Sequence, residues 1–408
     1  MLFNSLAFVV FFPIVTIGYF LLPARVRWAW LVAASAVFYM AFVPYYILIL
    51  LAVIAVDYVA GRLIEPATGA RRKALLTVSI LSNVLFLCVF KYFNFGVENA
   101  AAALRLLGVE AHLPTLSIVL PIGLSFHTFQ SMSYTIEVYR GSVPAERHLG
   151  IFALYVLFYP QLVAGPIERP QNLLEQFHTA HRFDPEKVVS GLRLMLWGLV
   201  KKVVVADRVA EIVNQVYDAP GRHSGPALLL AAYLFSFQIY CDFSGYSDIA
   251  RGAARVMGYE LMLNFRRPYF ATSMGEFWRR WHISLSTWFR DYVFVPLGGS
   301  RVSSALRLRN IMVVFLLSGL WHGASWHYVV WGALNGVLVA IEGAGSKERA
   351  RPEGLARLVR MLFIFHLATL CWIFFRAESI GDAWTVLTRL PGGWGRSPAA
   401  ELGTSTGR

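Results

Sequence analysis

Two histidines stand in settings where a proton acceptor would be of use. His322 closes the apolar run that begins near Ile311, in Leu316-Leu317-Ser318-Gly319-Leu320-Trp321-His322-Gly323-Ala324-Ser325, and a second apolar run starts near Trp326. An ionisable group inside such a hydrophobic region is costly unless it faces a protein-lined cavity, so it is a functional candidate by default. Gly319, Gly323 and Ala324 are small enough to let a substrate or another helix approach the ring. The bland alternative is a buried His satisfied by a backbone carbonyl. His282 lies between Trp278 and Leu285, at the edge of an apolar face rather than among the arginines. Alone it reads more readily as an interfacial His. Two histidines entering one site from separate segments suit proton transfer near neutral pH.

Other chemistries fit the residues less well. His322 and His327 are five positions apart, which separates them around a helix, and no HExxH or cysteine cluster occurs, so no metal site is expected. A serine nucleophile lacks its GxSxG elbow. Asp242, Ser244, Tyr246 and Asp248 end an apolar span and are candidates to line a polar opening, against helix termination as the plainer reading. His127 and Gln130 are placed at the same cavity by their polarity alone.

The elements that position these residues must be membrane helices. Of 408 residues, 57% are hydrophobic and 15% charged, far from the roughly one-quarter charged residues of a soluble domain. The segments Ser5 to Leu22, Tyr45 to Ala60, Ala74 to Phe90, Pro226 to Tyr240 and Arg357 to Phe375 approach the ~20 apolar residues of a bilayer span. The fold class expected is an all-α polytopic membrane protein with about nine to eleven spans. No basic residue precedes the first stretch and no small-x-small pattern follows it, so a retained first span is expected rather than a cleaved signal. Arg25 and Arg27 follow the first span and Arg62, Arg71, Arg72 and Lys73 the third, while the turn near Val43 and Pro44 is uncharged; this places the N-terminus outside, which is periplasmic in a bacterium. The formal net charge of +13 resides in loops beside apolar spans, which argues against nucleic acid and for a lipid bilayer. Cys88, Cys241 and Cys371 are too dispersed for a disulfide framework.

Residues 1–390 read as one membrane domain. Pro121, Gly123, Pro160, Gly165 and Pro166 interrupt apolar runs, either as re-entrant or broken helices enclosed by protein or as helix ends at the interface. Residues 248–309 form a basic cytoplasmic segment. Within it Ser273 and Glu276 have capping-box spacing, and Phe277, Trp278, Trp281, Leu285, Trp288, Phe289 and Tyr292 share one helical face. The expectation is a single amphipathic helix at the membrane interface, tryptophans down and arginines toward headgroups or solvent. Residues 391–408, rich in Gly, Pro and Ser, are expected to be a disordered tail.

Phe277-Trp278-Arg279-Arg280-Trp281-His282-Ile283-Ser284-Leu285-Ser286 and Leu320-Trp321-His322-Gly323-Ala324-Ser325-Trp326, preceded by Pro160-Gln161-Leu162-Val163-Ala164-Gly165-Pro166, resemble the motifs of the membrane-bound O-acyltransferase family, and most closely its bacterial alginate O-acetyltransferase branch. The resemblance runs from Met1 to about Leu390. It implies a ring of tilted helices around a thinned central cavity, with His322 as principal catalytic residue and His282 as the second. It implies acetyl-CoA or a similar activated acyl donor as co-substrate, no bound cofactor, and a location in the bacterial inner membrane. Arg279 and Arg280 (with Arg290) would attract the donor's phosphates, and Trp321, Asp242 and Ser244 would line the substrate path. Partners implied are a polysaccharide acceptor and a periplasmic acetyltransferase that relays the group. Relatives of this branch continue through further spans after a region like Phe374-Phe375-Arg376, whereas this chain ends at Arg408, so a shortened form is the expectation. Transfer to peptidoglycan, cellulose or teichoic acid (as D-alanyl) stays open beside alginate, as do a proton-coupled transporter and a scaffold for a secretion complex.

Overall fold

A computed structural model describes residues 1–111, 113–117, 121–344 and 353–403. Among them every regular element is helical. Among the described residues five helices are long and apolar enough to cross a membrane: Pro44–Ile64, Gly69–Leu106, Gly225–Val256, Ser304–His322 and Gly354–Arg376. Each of the apolar segments picked out in the sequence lies in a helix, but the first, Leu6–Leu21, has 16 residues and is shorter than a full span. Ala24–Met40, with 17 residues, is likewise short, so among the described residues fewer helices of full span length appear than the nine to eleven estimated from segment length.

The chain forms two compact units: Met1–Leu199 with Tyr246–Met262, and Val200–Gly245 with Leu263–Arg408. In the first, Ile47–Ile64, Gly69–Leu87 and Leu124–Arg140 pack on one another. Most of Leu124–Arg140 is buried even though it carries His127, Thr128, Gln130, Ser131, Ser133 and Thr135. Buried polar side chains demand partners, and Thr128, Gln130, Ser131, Ser133 and Thr135 find theirs within the bundle, whereas His127 Nε2 is left without one. Beyond Leu149–Leu157 the backbone from Phe158 to Gly165 is irregular and mostly buried, as an interrupted stretch enclosed by protein should be.

The second unit is organised by a helical hairpin, Ser304–His322 and Trp326–Ala344, against which Gly354–Arg376 packs. Glycines make the hairpin tight. A Cβ on Gly319 would collide with the Tyr328 carbonyl, one on Gly323 with the Tyr328 ring, and one on Gly332 with the Phe315 carbonyl. Such close approach through small residues is how helices associate where lipid offers no hydrophobic drive. At the end of the chain Pro398–Gly403 is helical, and Glu401 accepts a hydrogen bond of 3.1 Å from the Ser224 backbone N–H. The tail expected to be disordered is therefore anchored in part by a carboxylate; residues 404–408 lie outside the described ones.

Candidate active site

The basic segment does not form one amphipathic helix. Met274–Arg280 starts as its sequence says, with Ser273 Oγ accepting from Glu276 N–H at 3.0 Å and Glu276 Oε2 accepting from Thr272 N–H at 2.7 Å. Its remaining N-terminal donors go to Glu342, whose carboxylate takes Met274 N–H at 2.8 Å and Gly275 N–H at 3.1 Å. Then the helix stops, and His282 adopts φ 44°, a left-handed conformation that only special surroundings impose on a residue with a side chain. A second helix, Ile283–Phe289, follows.

Asn264 is the cause. Its backbone carbonyl accepts from Ile283 N–H at 2.9 Å, and its side-chain Oδ1 accepts from Ser284 N–H at 3.3 Å and from Ser284 Oγ at 3.0 Å. These donors are thereby withdrawn from a continuous helical ladder. Trp281 and Trp288, assigned to a membrane face by periodicity, are buried inside this unit instead.

The same Oδ1 is 3.2 Å from His282 Nδ1. A backbone N–H can only donate, so the atom it meets on Asn264 must be the amide oxygen, and His282 Nδ1 must then carry the proton. The neutral imidazole holds its lone pair on Nε2. His282 is 1% exposed, with its ring 4.6 Å from Phe243 and 6.1 Å from Trp321. Burial, and after it the positive potential of His322, holds its pKa well below that of an ordinary imidazole.

His322 is the last residue of its helix, half-buried, with its ring 5.1 Å from both Trp331 and Phe375 at near-perpendicular angles. Trp331 stacks at 5.9 Å on Trp372, which lies 4.9 Å from Trp281. An aromatic wall thus holds the His322 ring. His327 is occupied elsewhere, Nδ1 being 3.0 Å from the Phe374 carbonyl. Among the described residues no group of three His, Cys, Asp or Glu side chains suits a metal.

A cavity of about 470 Å³ lies in this unit. Its lining is mainly apolar, with Trp278 and Phe315 on its walls; Ile283 follows His282, and Ser318 is one helical turn before His322. Arg279 and Arg290 also border it. Arg279 is exposed and without an acidic partner among the described residues, whereas Arg290 shares its Nε with Asp291 at 2.7 Å. Arg280 does not border the cavity, being engaged with Glu276 at 2.6 Å.

The remaining candidates each have surroundings of their own. Trp321 is buried beside both histidine rings. Asp242 pairs with Lys202 at 2.5 Å, and Ser244 accepts from Lys201 Nζ at 3.1 Å, so both side chains engage lysines of the π-helical segment Val200–Ala206. Gln130, in the first unit, donates to the Tyr155 carbonyl, and His127 is buried 6.0 Å from the Tyr39 ring. Asp248, also there, faces Arg251 at 3.8 Å. Asn264 and Glu342 were missed. Asn264 carried a signal of a kind, a lone amide between Leu263 and Phe265; Glu342, at the far end of a different helix, carried none.

Residues 146–380 match the model of the membrane-bound O-acyltransferase family. The chain is 41% identical over 389 residues to the probable alginate O-acetylase of Azotobacter vinelandii, an alignment covering 94% of this chain and 77% of that protein. It is 42% identical to the protein of that name from Pseudomonas aeruginosa, covering 94% and 74%. The peptidoglycan O-acetyltransferase of Helicobacter pylori is 32% identical, covering 96% of this chain and 80% of its own length.

Proposed function

The chain belongs to the membrane-bound O-acyltransferase family, and we propose that it carries acetyl groups from an activated cytoplasmic donor to a hydroxyl acceptor for O-acetylation of an exopolysaccharide of the alginate type. It is a multi-pass membrane O-acyltransferase. In this reading it sits in the bacterial inner membrane with its N-terminus periplasmic, so that the arginines of residues 248–309 meet the donor. The donor is acetyl-CoA or a similar thioester, and a periplasmic acetyltransferase relays the group to the polymer.

The single observation that carries the reading is that one buried side chain, Trp321, lies beside both histidine rings, 6.1 Å from His282 and 4.9 Å from His322, with a cavity that reaches the residue after the first and the residue one helical turn before the second. His322 takes the proton of the acceptor hydroxyl as its oxygen attacks the thioester carbonyl. The C–O bond forms, the C–S bond breaks, and the leaving thiolate receives the proton from the His322 imidazolium, which restores the base. His282 has a different part. With its proton committed to Asn264 and its pKa depressed, it has none to give a thiolate, so it serves by accepting a hydrogen bond at Nε2 and orienting the reacting group. Arg279 and Arg290 hold the donor's phosphates at the cavity border. Arg280, which does not border the cavity, is held by Glu276, and Asp242 and Ser244 by Lys202 and Lys201, so in this reading the donor's phosphates rest on Arg279 and Arg290.

The test is the ester content of the secreted polymer in cells carrying wild type, His322→Ala or His282→Ala at matched membrane levels. Loss of ester in both variants is expected. Normal ester would refute the histidine mechanism, and ester missing from peptidoglycan rather than from exopolysaccharide would move the acceptor to the cell wall, the polymer named for the Helicobacter pylori relative.

A further inference from the structure

In the first unit, far along the sequence from the histidines, a carboxylate is buried with no counter-charge. Asp57, 0% exposed, lies in the apolar Ile47–Ile64 helix. Its Oδ1 accepts from Ser79 Oγ at 2.6 Å, and its Oδ2 accepts from Asn83 Nδ2 at 2.7 Å and from Ser131 Oγ at 2.5 Å. Thr135 Oγ1 is 2.9 Å from Ser79 Oγ. All four neighbours are buried, and they come from the two helices that pack on Asp57's own. No Lys, Arg or His among the described residues forms an ion pair with it.

Three neutral donors do not replace the hydration of an ion in an apolar bundle, so a carboxyl group buried there is stable only when its charge is neutralised, by a proton or by a cation. Asn83 supplies the second sign. It is 1% exposed, and its Oδ1, carried on the same amide carbon as the Nδ2 that touches Asp57, has no partner. Rotation of that amide would present Oδ1 to the carboxylate, a geometry made favourable by a cation between them. Asp57, Ser79, Ser131, Thr135 and Asn83 then offer an all-oxygen set, the ligand type of hard cations. One carboxylate neutralises one positive charge, so a divalent ion would leave the pocket charged. We propose that Asp57, Ser79, Asn83, Ser131 and Thr135 form a binding site for a monovalent hard cation, sodium by the close spacing of its oxygens, that ties the three helices together.

The experiment is thermal unfolding of the purified full chain in detergent at constant ionic strength, with choline chloride replaced by NaCl or KCl. Sodium should raise the midpoint saturably by about 2–4 °C, the shift of a modest binding energy. Potassium should raise it less, and Asp57→Asn should abolish the response. Direct ²²Na⁺ binding to wild type and Ser131→Ala, with weaker binding in the variant, serves if Asp57→Asn does not fold. Equal midpoints in sodium and choline, a sodium effect that survives Asp57→Asn, undiminished binding by Ser131→Ala, or stabilisation by acid alone would each overturn the site.

Discussion

Asn264 offers the sharpest way to probe the site, because it touches His282 but cannot itself accept an acyl group. In Asn264→Ala, His282 Nδ1–H and Ser284 N–H lose an acceptor in a region at most 1% exposed. Each stranded donor costs roughly 1–3 kcal/mol, so a stability loss of about 2–4 kcal/mol is expected after partial relaxation. The rate falls for a separate reason. Without Asn264 the imidazole proton is free to move to Nε2, and once the two tautomers are equally populated the working form is halved, so the rate falls about twofold from this cause. That is milder than the roughly 10²–10⁴-fold expected for removing a general base such as His322. Asn264→Asp separates positioning from mere packing. It keeps an acceptor for all the donors but places an anion beside Nδ1, which raises the His282 pKa. In wild type the depressed pKa keeps His282 neutral well below pH 6.5. In Asn264→Asp the ring becomes protonated as pH falls through a higher value, so the acid limb of the transfer rate moves upward while activity at alkaline pH is retained. The assay is acetyl transfer from a thioester donor in membranes with matched protein levels, over pH 5–9 in round terms of the imidazole range. A wild-type rate in Asn264→Ala together with an unmoved acid limb in Asn264→Asp would refute the argument.

The hairpin that carries His322 and the border of the cavity are tested in other ways. Gly319→Ala places a Cβ against the Tyr328 carbonyl, where no side-chain rotation relieves it, so it should lower the amount of folded protein in membranes by an overpacking penalty of about 1–3 kcal/mol or more; Gly96→Ala, which meets nothing, is the control and should leave the amount unchanged. Arg279→Ala should raise the donor KM about tenfold, the loss of one charge-assisted contact, while Arg280→Ala should leave it within about twofold because its guanidinium is engaged with Glu276. Equal effects from the two arginines in steady-state kinetics would place the donor elsewhere.

The sequence by itself determined the solvent of this protein, the place of its apolar helices, the capping of Met274–Arg280 and the prominence of His322. Those features are local: a run of apolar side chains, a Ser three residues before a Glu, an ionisable ring in hydrophobic surroundings each carry their meaning within a few turns of chain. Tertiary structure alone decided that the helix breaks at His282, since the break is made by acceptors on Asn264, 18 positions upstream. It decided that Arg279 borders the cavity and Arg280 does not, although the two are neighbours in sequence. It turned Trp281 and Trp288 inward, against a periodicity that fits a membrane face equally well, and it gave Asp242 and Ser244 to lysines. It also brought Ser79, Asn83 and Ser131 around Asp57 from two other helices. Periodicity says which face of a helix is apolar but not what covers that face, and hydrogen bonds between distant segments leave no regular spacing to read; the burial of each polar group, and so its chemistry, is settled only when the helices meet.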